Sequence, residues 1–421
     1  MIYTDFQDKK LSQLGFGTMR LPMADGVIDE AQVADMVRLA MENGVNYFDT
    51  AWPYHGGEAE RVIGRVLAQY PRESWYLATK YPGHQISSSY DPAAIFEEQL
   101  CKCGVEYFDF YLLHNVYENS IDTYLDPRWG IIDYFREQKR LGRIRHLGFS
   151  CHGCVENLRA FLDAPVPDVG QRPTSDSECL HSPSVASDAP ALMADIMEFC
   201  QIQLNWLDWT LQNAKEKVAL LNERNIPIWV MEPVRGGRLC QLSEQDETTL
   251  RGLLPEAGMP EWGFRFLQDI PGVTMILSGM SNMDQLQDNL RTFARPNPLT
   301  EAETTALLDI AEGMKDSVPC TACRYCTPHC PMGLDIPLLL ATYNELRFSP
   351  AINVAMRLEG LPADKQPSAC IGCGACAAIC PQRIDIPAAM KDLAEKLAGI
   401  PKWTDICRQR EEAARKARGH E

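Results

Sequence analysis

The chain has 421 residues, 45% hydrophobic and 23% charged, with 16 cysteines and a formal net charge of -17; that length allows two domains, and the composition is that of a globular protein rather than a disordered or fibrous one. The acidic balance argues against nucleic acid or an anionic membrane surface as the partner. The first ten residues hold no basic segment ahead of an apolar one, and no run approaches transmembrane length, so a cytoplasmic location with metal-ligating and free thiols, rather than disulfides, is expected.

From Leu14 to about Ala294, short strand-like runs alternate with amphipathic helical stretches. Strands are predicted at 14–18, 47–51, 75–80, 108–114, 146–150, 200–205, 227–233 and 274–279. Helices are predicted at 29–44, 57–70, 91–105, 129–142, 155–163, 209–225, 260–270 and 283–294. Eight strand-helix pairs over this length suit a (β/α)8 TIM barrel. An open doubly wound sheet would want a glycine fingerprint opening the first helix, and there is none. Loops 81–90, 115–128 and 235–259 follow strands and belong to the barrel's open mouth. The stretch 164–190 is rich in Ser, Pro and Asp, lacks periodicity and joins a helix to a strand. It is expected at the barrel's bottom as a disordered or partner-facing insertion, with Cys179 and His181 inside it as weak metal-ligand candidates. Arg295-Pro-Asn-Pro-Leu299 breaks the last barrel helix and Thr300 caps another running to about Lys315. The domains expected are therefore 1–297 and 298–421. The tail from Lys402 reads as a charged helix or a frayed end.

The second domain carries Cys320-x2-Cys323-x2-Cys326-x3-Cys330-Pro331 and its echo Cys370-x2-Cys373-x2-Cys376-x3-Cys380-Pro381. That spacing lets three thiolates on one turn reach different irons of a 4Fe-4S cube, while the fourth cysteine ligates the neighbouring cube. One cluster is assigned to Cys320, Cys323, Cys326 and Cys380, the other to Cys370, Cys373, Cys376 and Cys330. Structural zinc is the alternative, but a tetrahedral ion has no use for a third ligand at the same spacing. The echo continues through Asp335-Ile-Pro337 and Asp385-Ile-Pro387, an internal repeat, with two helices predicted between the copies. The segment resembles the α-helical ferredoxins of fumarate reductase iron-sulfur subunits.

Four polar side chains stand where predicted strands end: Asp49, Tyr54, Lys80 and His114. A tyrosine is a weak acid at neutral pH, but a nearby ammonium favours its phenolate and eases proton donation to a developing alkoxide. Lys80 can supply that charge, Asp49 can hold Lys80, and a neutral His114 can orient a substrate carbonyl. Together they describe carbonyl reduction by hydride.

On these residues, in Asn46-Tyr-Phe-Asp-Thr-Ala-Trp-Pro-Tyr-His-Gly-Gly-Glu58, Ala78-Thr-Lys80 and Leu112-Leu-His114, the first domain resembles the aldo-keto reductase family. With the cysteine cassette, the whole resembles that family's ferredoxin-bearing branch. The resemblance implies a catalytic tetrad of Asp49, Tyr54, Lys80 and His114, with Tyr54 as acid and base. It also implies an extended NAD(H) or NADP(H), with Ser150 and Gln203 at the carboxamide and Ser278, Gly279, Met280, Ser281, Asn282, Gln285, Asp288 and Asn289 around the adenosine end. Where NADPH-preferring members carry Lys or Arg, this chain has Gly279, Met280 and Gln285, which removes the charge-assisted contacts to a 2′-phosphate. The aromatic shelf for the nicotinamide falls near Met231, and the Asn expected after Ser150 is Cys151. Cys151-His-Gly-Cys154 invites a redox-disulfide or metal reading beside that of incidental thiols. Cys101 and Cys103 fall on a helix and are expected to serve packing.

Hydride moves two electrons together and 4Fe-4S clusters pass one, so joining the two halves calls for an intermediary such as flavin. The sequence marks no flavin site. Three functions are open: an NAD(P)H-dependent carbonyl or alcohol oxidoreductase whose clusters serve a redox partner protein, a ferredoxin- or flavin-linked oxidoreductase whose clusters feed the barrel, and a non-catalytic redox sensor or electron-transfer subunit. The intact tetrad favours the first.

Overall fold

The computed structural model describes residues 1–85, 87–167, 190–314, 318, 320, 324, 326–348, 351–380 and 382–417. The chain divides into two compact units, one from residues 1–84 and 88–306 and one from residues 85–87 and 307–421.

The first unit opens with a hairpin of β1 (Tyr3–Phe6) and β2 (Lys9–Ser12), followed by β3 (Leu14–Gly17) and a small hairpin of β4 (Met23–Ala24) and β5 (Val27–Ile28). Then come β6 (Tyr47–Asp49), β7 (Tyr76–Tyr81), β8 (Phe108–Leu113), β9 (Ile144–Cys151), β10 (Cys200–Gln203), β11 (Ile228–Met231) and β12 (Val273–Gly279). Eight of them close in the order β10-β11-β12-β3-β6-β7-β8-β9, all parallel. All eight predicted strands are here, in the expected TIM barrel. A strand such as β8, Phe-Asp-Phe-Tyr-Leu-Leu, is buried at every position because it faces the barrel interior on one side and helices on the other.

The surrounding helices are α1 (Glu30–Glu42), α2 (Glu58–Leu67), α3 (Pro92–Cys103), α4 (Ile121–Leu125), α5 (Ile131–Arg140), α6 (Val155–Asp163), α7 (Met193–Ile196), α8 (Asp208–Leu211), α9 (Ala214–Glu223), α10 (Glu244–Leu253), α11 (Met259–Gln268) and α12 (Met283–Thr292). The helix predicted over 209–225 is two pieces, because Asn213 takes a left-handed conformation with φ 51° between α8 and α9. Two of the predicted loops contain helices of their own, α4 and α10. The hairpin β1–β2 escaped the sequence reading because its turn, at Gln7-Asp8, lacks a glycine signal. It puts Phe6 against Phe110, His146 and Trp229, with ring centroids 5.1–5.6 Å apart. Cys103 is buried as expected, but Cys101 is exposed. Of the insertion, Pro165 pairs with Leu192 in an antiparallel bridge, while Cys179 and His181 lie outside the described residues.

Helix α13 (Glu301–Met314) starts in the barrel unit, where Arg265 grips Glu303 with two bonds of 2.9 Å. The second unit adds α14 (Ile336–Phe348), α15 (Ile352–Glu359), α16 (Ala375–Ala378), α17 (Ile386–Ala398) and α18 (Trp403–Ala417). The predicted helix pair between the cysteine loops is α14 and α15. The repeated Asp-Ile-Pro acts twice in the same way: Asp335 accepts from the Leu338 N–H and Asp385 from the Ala388 N–H, so each caps a helix that proline then starts. Among the described residues no helix is long and apolar enough to cross a membrane.

Candidate active site

All four tetrad candidates stand at the C-terminal ends of neighbouring strands, Asp49 as the last residue of β6 with Tyr54 beyond it, Lys80 near the end of β7 and His114 just after β8. Lys80 has no exposure to water. Its Nζ donates to Asp49 Oδ1 at 2.5 Å and to the Thr50 carbonyl at 2.8 Å, and the Tyr54 hydroxyl is its third partner. The same Nζ lies 5.1 Å from the centre of the Tyr54 ring. His114 stands edge-on to Tyr54 with ring centroids 6.1 Å apart. The structure therefore brings these four together.

Tyr54 owes its position to a tight bend. His55, Gly56 and Gly57 have φ of 50°, 68° and 97°, a left-handed run that two glycines make accessible. The His55 ring Nε2 accepts from the Leu21 N–H at 3.2 Å, tying the bend to the chain after β3.

Burial works against the Lys80 ammonium, but Asp49 and Tyr54 outweigh it and lift its pKa above the ordinary lysine value. For Tyr54 the outcome corrects the sequence reading. Burial pushes the phenol above its ordinary value, and Lys80 pulls it only part of the way back against Asp49 and Glu232. A residue pattern shows the cation; it does not show how dry the site is.

Two further residues were missed. The His84 ring lies 4.4 Å from the His114 ring. Tyr124, on α4, donates its hydroxyl to the His114 carbonyl at 2.6 Å and the Tyr81 carbonyl at 3.1 Å, bracing both segments.

Beside the tetrad opens a cleft of about 760 Å³ onto which Asp49 and Tyr54 face. Of the predicted nucleotide contacts, Ser278, Gly279, Met280, Ser281, Gln285 and Asn289 line it, as does Met231 at the predicted nicotinamide shelf. Four others are engaged elsewhere. Gln203 donates to Asp208 at 2.9 Å; Ser150 Oγ accepts from the Asn115 N–H; Asn282 caps α12 by accepting from the Gln285 N–H; Asp288 pairs with Arg291. In place of Gln203 the cleft presents Gln201, whose buried Oε1 has no hydrogen-bond partner among the described residues. An orphaned amide oxygen aimed into a cleft fits a carboxamide N–H donor.

The cleft's charge also differs from the sequence reading. Arg20, Arg235 and Arg238 line the wall, so cations absent at 279, 280 and 285 arrive from other loops. Ser281 donates to the Arg20 carbonyl at 3.0 Å, and a Cβ on Gly279 would touch the Arg20 side chain at 3.2 Å. Arg20 lies 3.7 Å from Glu232, and Arg235 clasps buried Asp208 at 2.6 and 2.9 Å. Cys154 is not an activated thiol: burial, then Glu118, pushes it up to about 12.

In the second unit Cys330, Cys370, Cys373 and Cys376 line one small cavity, otherwise walled by residues such as Leu334, Ile336 and Met390. These are the four cysteines assigned to one cluster across the two motifs. Four thiols around one apolar cavity fit an iron-sulfur cube. Among the described residues no three Cys, His, Asp or Glu side chains converge closely enough to hold a single ion. Of the other set, Cys326 is buried in the unit's core, and Cys320 and Cys380 pack partly buried against it. Cys323 lies outside the described residues.

Comparison with known proteins agrees with this geometry. Residues 13–312 match the model of the Aldo/keto reductase family, and residues 319–384 that of the 4Fe-4S dicluster domain. An uncharacterized oxidoreductase, YqkF, of Bacillus subtilis is 25% identical over 71% of this chain and 92% of its own length. The NADH-specific methylglyoxal reductase of Escherichia coli is 27% identical over 39% of this chain and 55% of its own. Among solved structures, an aldo-keto reductase from Bacillus halodurans in its holo form superposes with TM-score 0.55 at 24% identity, covering 74% of this chain and 96% of that one. Another, from Klebsiella pneumoniae in complex with NADP and acetate, gives 0.53 at 17%, covering 72% and 92%. At such identities the likeness speaks to the fold. Closed barrel, strand-end cluster and family match together lead to one statement: the chain belongs to the aldo/keto reductase family and carries a 4Fe-4S dicluster domain C-terminal to it in sequence.

Proposed function

We propose that residues 1 to about 297 form an NAD(P)H-dependent carbonyl reductase, and that residues 298–421 hold two 4Fe-4S clusters that exchange single electrons with a partner. The observation that carries the first half is the buried chain from Asp49 to Lys80 to the Tyr54 hydroxyl, with Tyr54 opening on the cleft. The residues lining that cleft would hold a nicotinamide dinucleotide, whose chemistry there would be hydride transfer to a carbonyl carbon. Tyr54 donates a proton to the oxygen as negative charge develops there, and the Lys80 ammonium stabilises the phenolate left behind. Asp49 keeps Lys80 charged and fixed. His114 hydrogen-bonds the carbonyl oxygen, and Gln201 holds the carboxamide edge of the nicotinamide. Arg20, Arg235 and Arg238 give the cleft the positive wall that a dinucleotide's phosphates need. This makes both NADH and NADPH admissible. Ser278, Gly279, Met280, Ser281, Gln285 and Asn289 complete the seat.

For the clusters, Cys370, Cys373, Cys376 and Cys330 hold one cube, and Cys320, Cys323, Cys326 and Cys380 the other. Anaerobically prepared protein is then brown and contains about eight irons per chain. The reductase reading is tested by following NADH and NADPH oxidation with methylglyoxal, the substrate named for the Escherichia coli relative, alongside other small aldehydes. Tyr54→Phe lowers kcat/KM by about 10²–10⁴-fold with dinucleotide affinity unchanged. Equal turnover by Tyr54→Phe would remove the proton-donor role.

A further inference from the structure

A second buried cluster of charge sits between the barrel and its helices, and none of its members lines the cleft. Glu60 on α2 has no exposure to water. Its Oε1 accepts from the Thr79 hydroxyl and from the Gln99 amide, each at 2.7 Å. Gln99, on α3, accepts the Tyr111 hydroxyl at 2.6 Å and shares its amide hydrogens with the carbonyl of Lys80 at 3.1 Å. The other Glu60 oxygen lies 3.6 Å from Lys102 Nζ. That ammonium in turn stands 3.5 Å from the centre of the Trp52 ring, a close cation–π contact.

The network thus ends at two places. One end grips the backbone of Lys80; the other grips Trp52, two residues before Tyr54. The bend that follows Tyr54 runs through three consecutive left-handed residues, and such a bend keeps its shape only when its surroundings over-determine it. A buried carboxylate is costly unless donors and a cation compensate it, so removing its charge loosens every member at once.

We propose that Glu60 is a positioning residue that sets the contact between the Tyr54 hydroxyl and the Lys80 ammonium, through Gln99 on one side and Lys102 and Trp52 on the other. This rests on the tetrad reading above. Loss of a nearby negative charge by itself leaves the Tyr54–Lys80 contact in place; loss of positioning breaks it.

The test uses full-length, cluster-loaded protein labelled at tyrosine Cζ with carbon-13. The resonance missing from Tyr54→Phe identifies Tyr54, and its displacement in Lys80→Met defines what losing the ammonium does. Glu60→Gln and Lys102→Met each move the Tyr54 resonance most of the way towards its Lys80→Met position. Glu98→Gln, which removes the more exposed partner of Lys102 at 3.3 Å, leaves it where it is in the wild type. Should one of the two test variants fold poorly, the other decides. A Tyr54 resonance at its wild-type position in folded Glu60→Gln and Lys102→Met reduces the network to plain structural support and overturns the proposal. If Lys80→Met itself does not displace the resonance, the tetrad reading has failed and takes this inference with it.

Discussion

Replacing Asp49 by asparagine keeps the side chain's shape and removes the charge facing a lysine that no water reaches. In the wild type, Asp49 and Tyr54 outweigh burial, so the folded-state pKa of Lys80 lies above its ordinary value. The stabilisation that follows is fully present below the ordinary lysine pKa and is lost only as pH rises through the folded one. In Asp49→Asn the sign reverses. Burial acts with the Thr50 carbonyl and Tyr54 as the remaining partners, the folded state prefers a neutral amine, and the penalty is largest at neutral pH and fades as pH rises towards the ordinary lysine value. Removing one member of a buried ion pair costs roughly 3–5 kcal/mol. Anaerobic urea unfolding followed by tryptophan fluorescence measures it, since all of the eight tryptophans but Trp403 lie in the barrel unit. The expected result is a stability gap of about 3–5 kcal/mol at pH 7 that narrows steadily towards pH 10. A gap below about 1 kcal/mol, or one that does not change with pH, would mean that Lys80 is not held charged by Asp49, and the reasoning would fail.

Burial raises the Glu198 carboxyl, but bonds from His146, Lys139, Gln7 and the Leu147 N–H prevail and hold it at about 2, against an ordinary 4.5. Glu198→Gln should therefore cost about 2 kcal/mol at pH 7, after discounting the full shift for partial exposure. The loss should shrink as pH falls from the ordinary value through the folded one, and a pH-independent loss would contradict it. A Cβ on Gly64 would lie 2.4 Å from the Cys103 carbonyl, so Gly64→Ala should force α2 off α3 and destabilise the barrel by roughly 1–3 kcal/mol in the same unfolding assay. Gln201→Leu should weaken NADH binding about tenfold in a fluorescence titration. Gln203→Leu, cut off from the cleft by Asp208, should leave that affinity unchanged; the reverse pattern would restore Gln203 to the carboxamide.

The barrel was legible because eight apolar strands punctuate the chain at regular intervals, and the meeting of Asp49, Tyr54, Lys80 and His114 because strand ends share one mouth. What escaped depends on closure and depth. Gln201 and Gln203 sit two apart on β10 and share a face, so only the arrival of Asp208 on α8 decides which of them stays free for the cleft. Arg20 follows β3 and Ser281 follows β12, and those strands are neighbours only because the sheet closes on itself. Gly279, Met280 and Gln285 therefore do not set the cleft's charge alone, because Arg20, Arg235 and Arg238 come to it from far along the chain. The Tyr54 phenol was misjudged for a related reason: the ammonium is written in the sequence, the surrounding dryness is not. In the second unit the spacing of the two motifs already groups Cys330 with Cys370, Cys373 and Cys376, and these four line one cavity.

The most direct measurement follows deuterium from the nicotinamide C4 of labelled NADH or NADPH into product, under anaerobic conditions, with wild type and Tyr54→Phe side by side. Label on the carbinol carbon of the wild-type product, and its near-complete loss in Tyr54→Phe, is the outcome the account requires. Turnover that leaves the product unlabelled, or label that enters equally fast without the phenol, would contradict it.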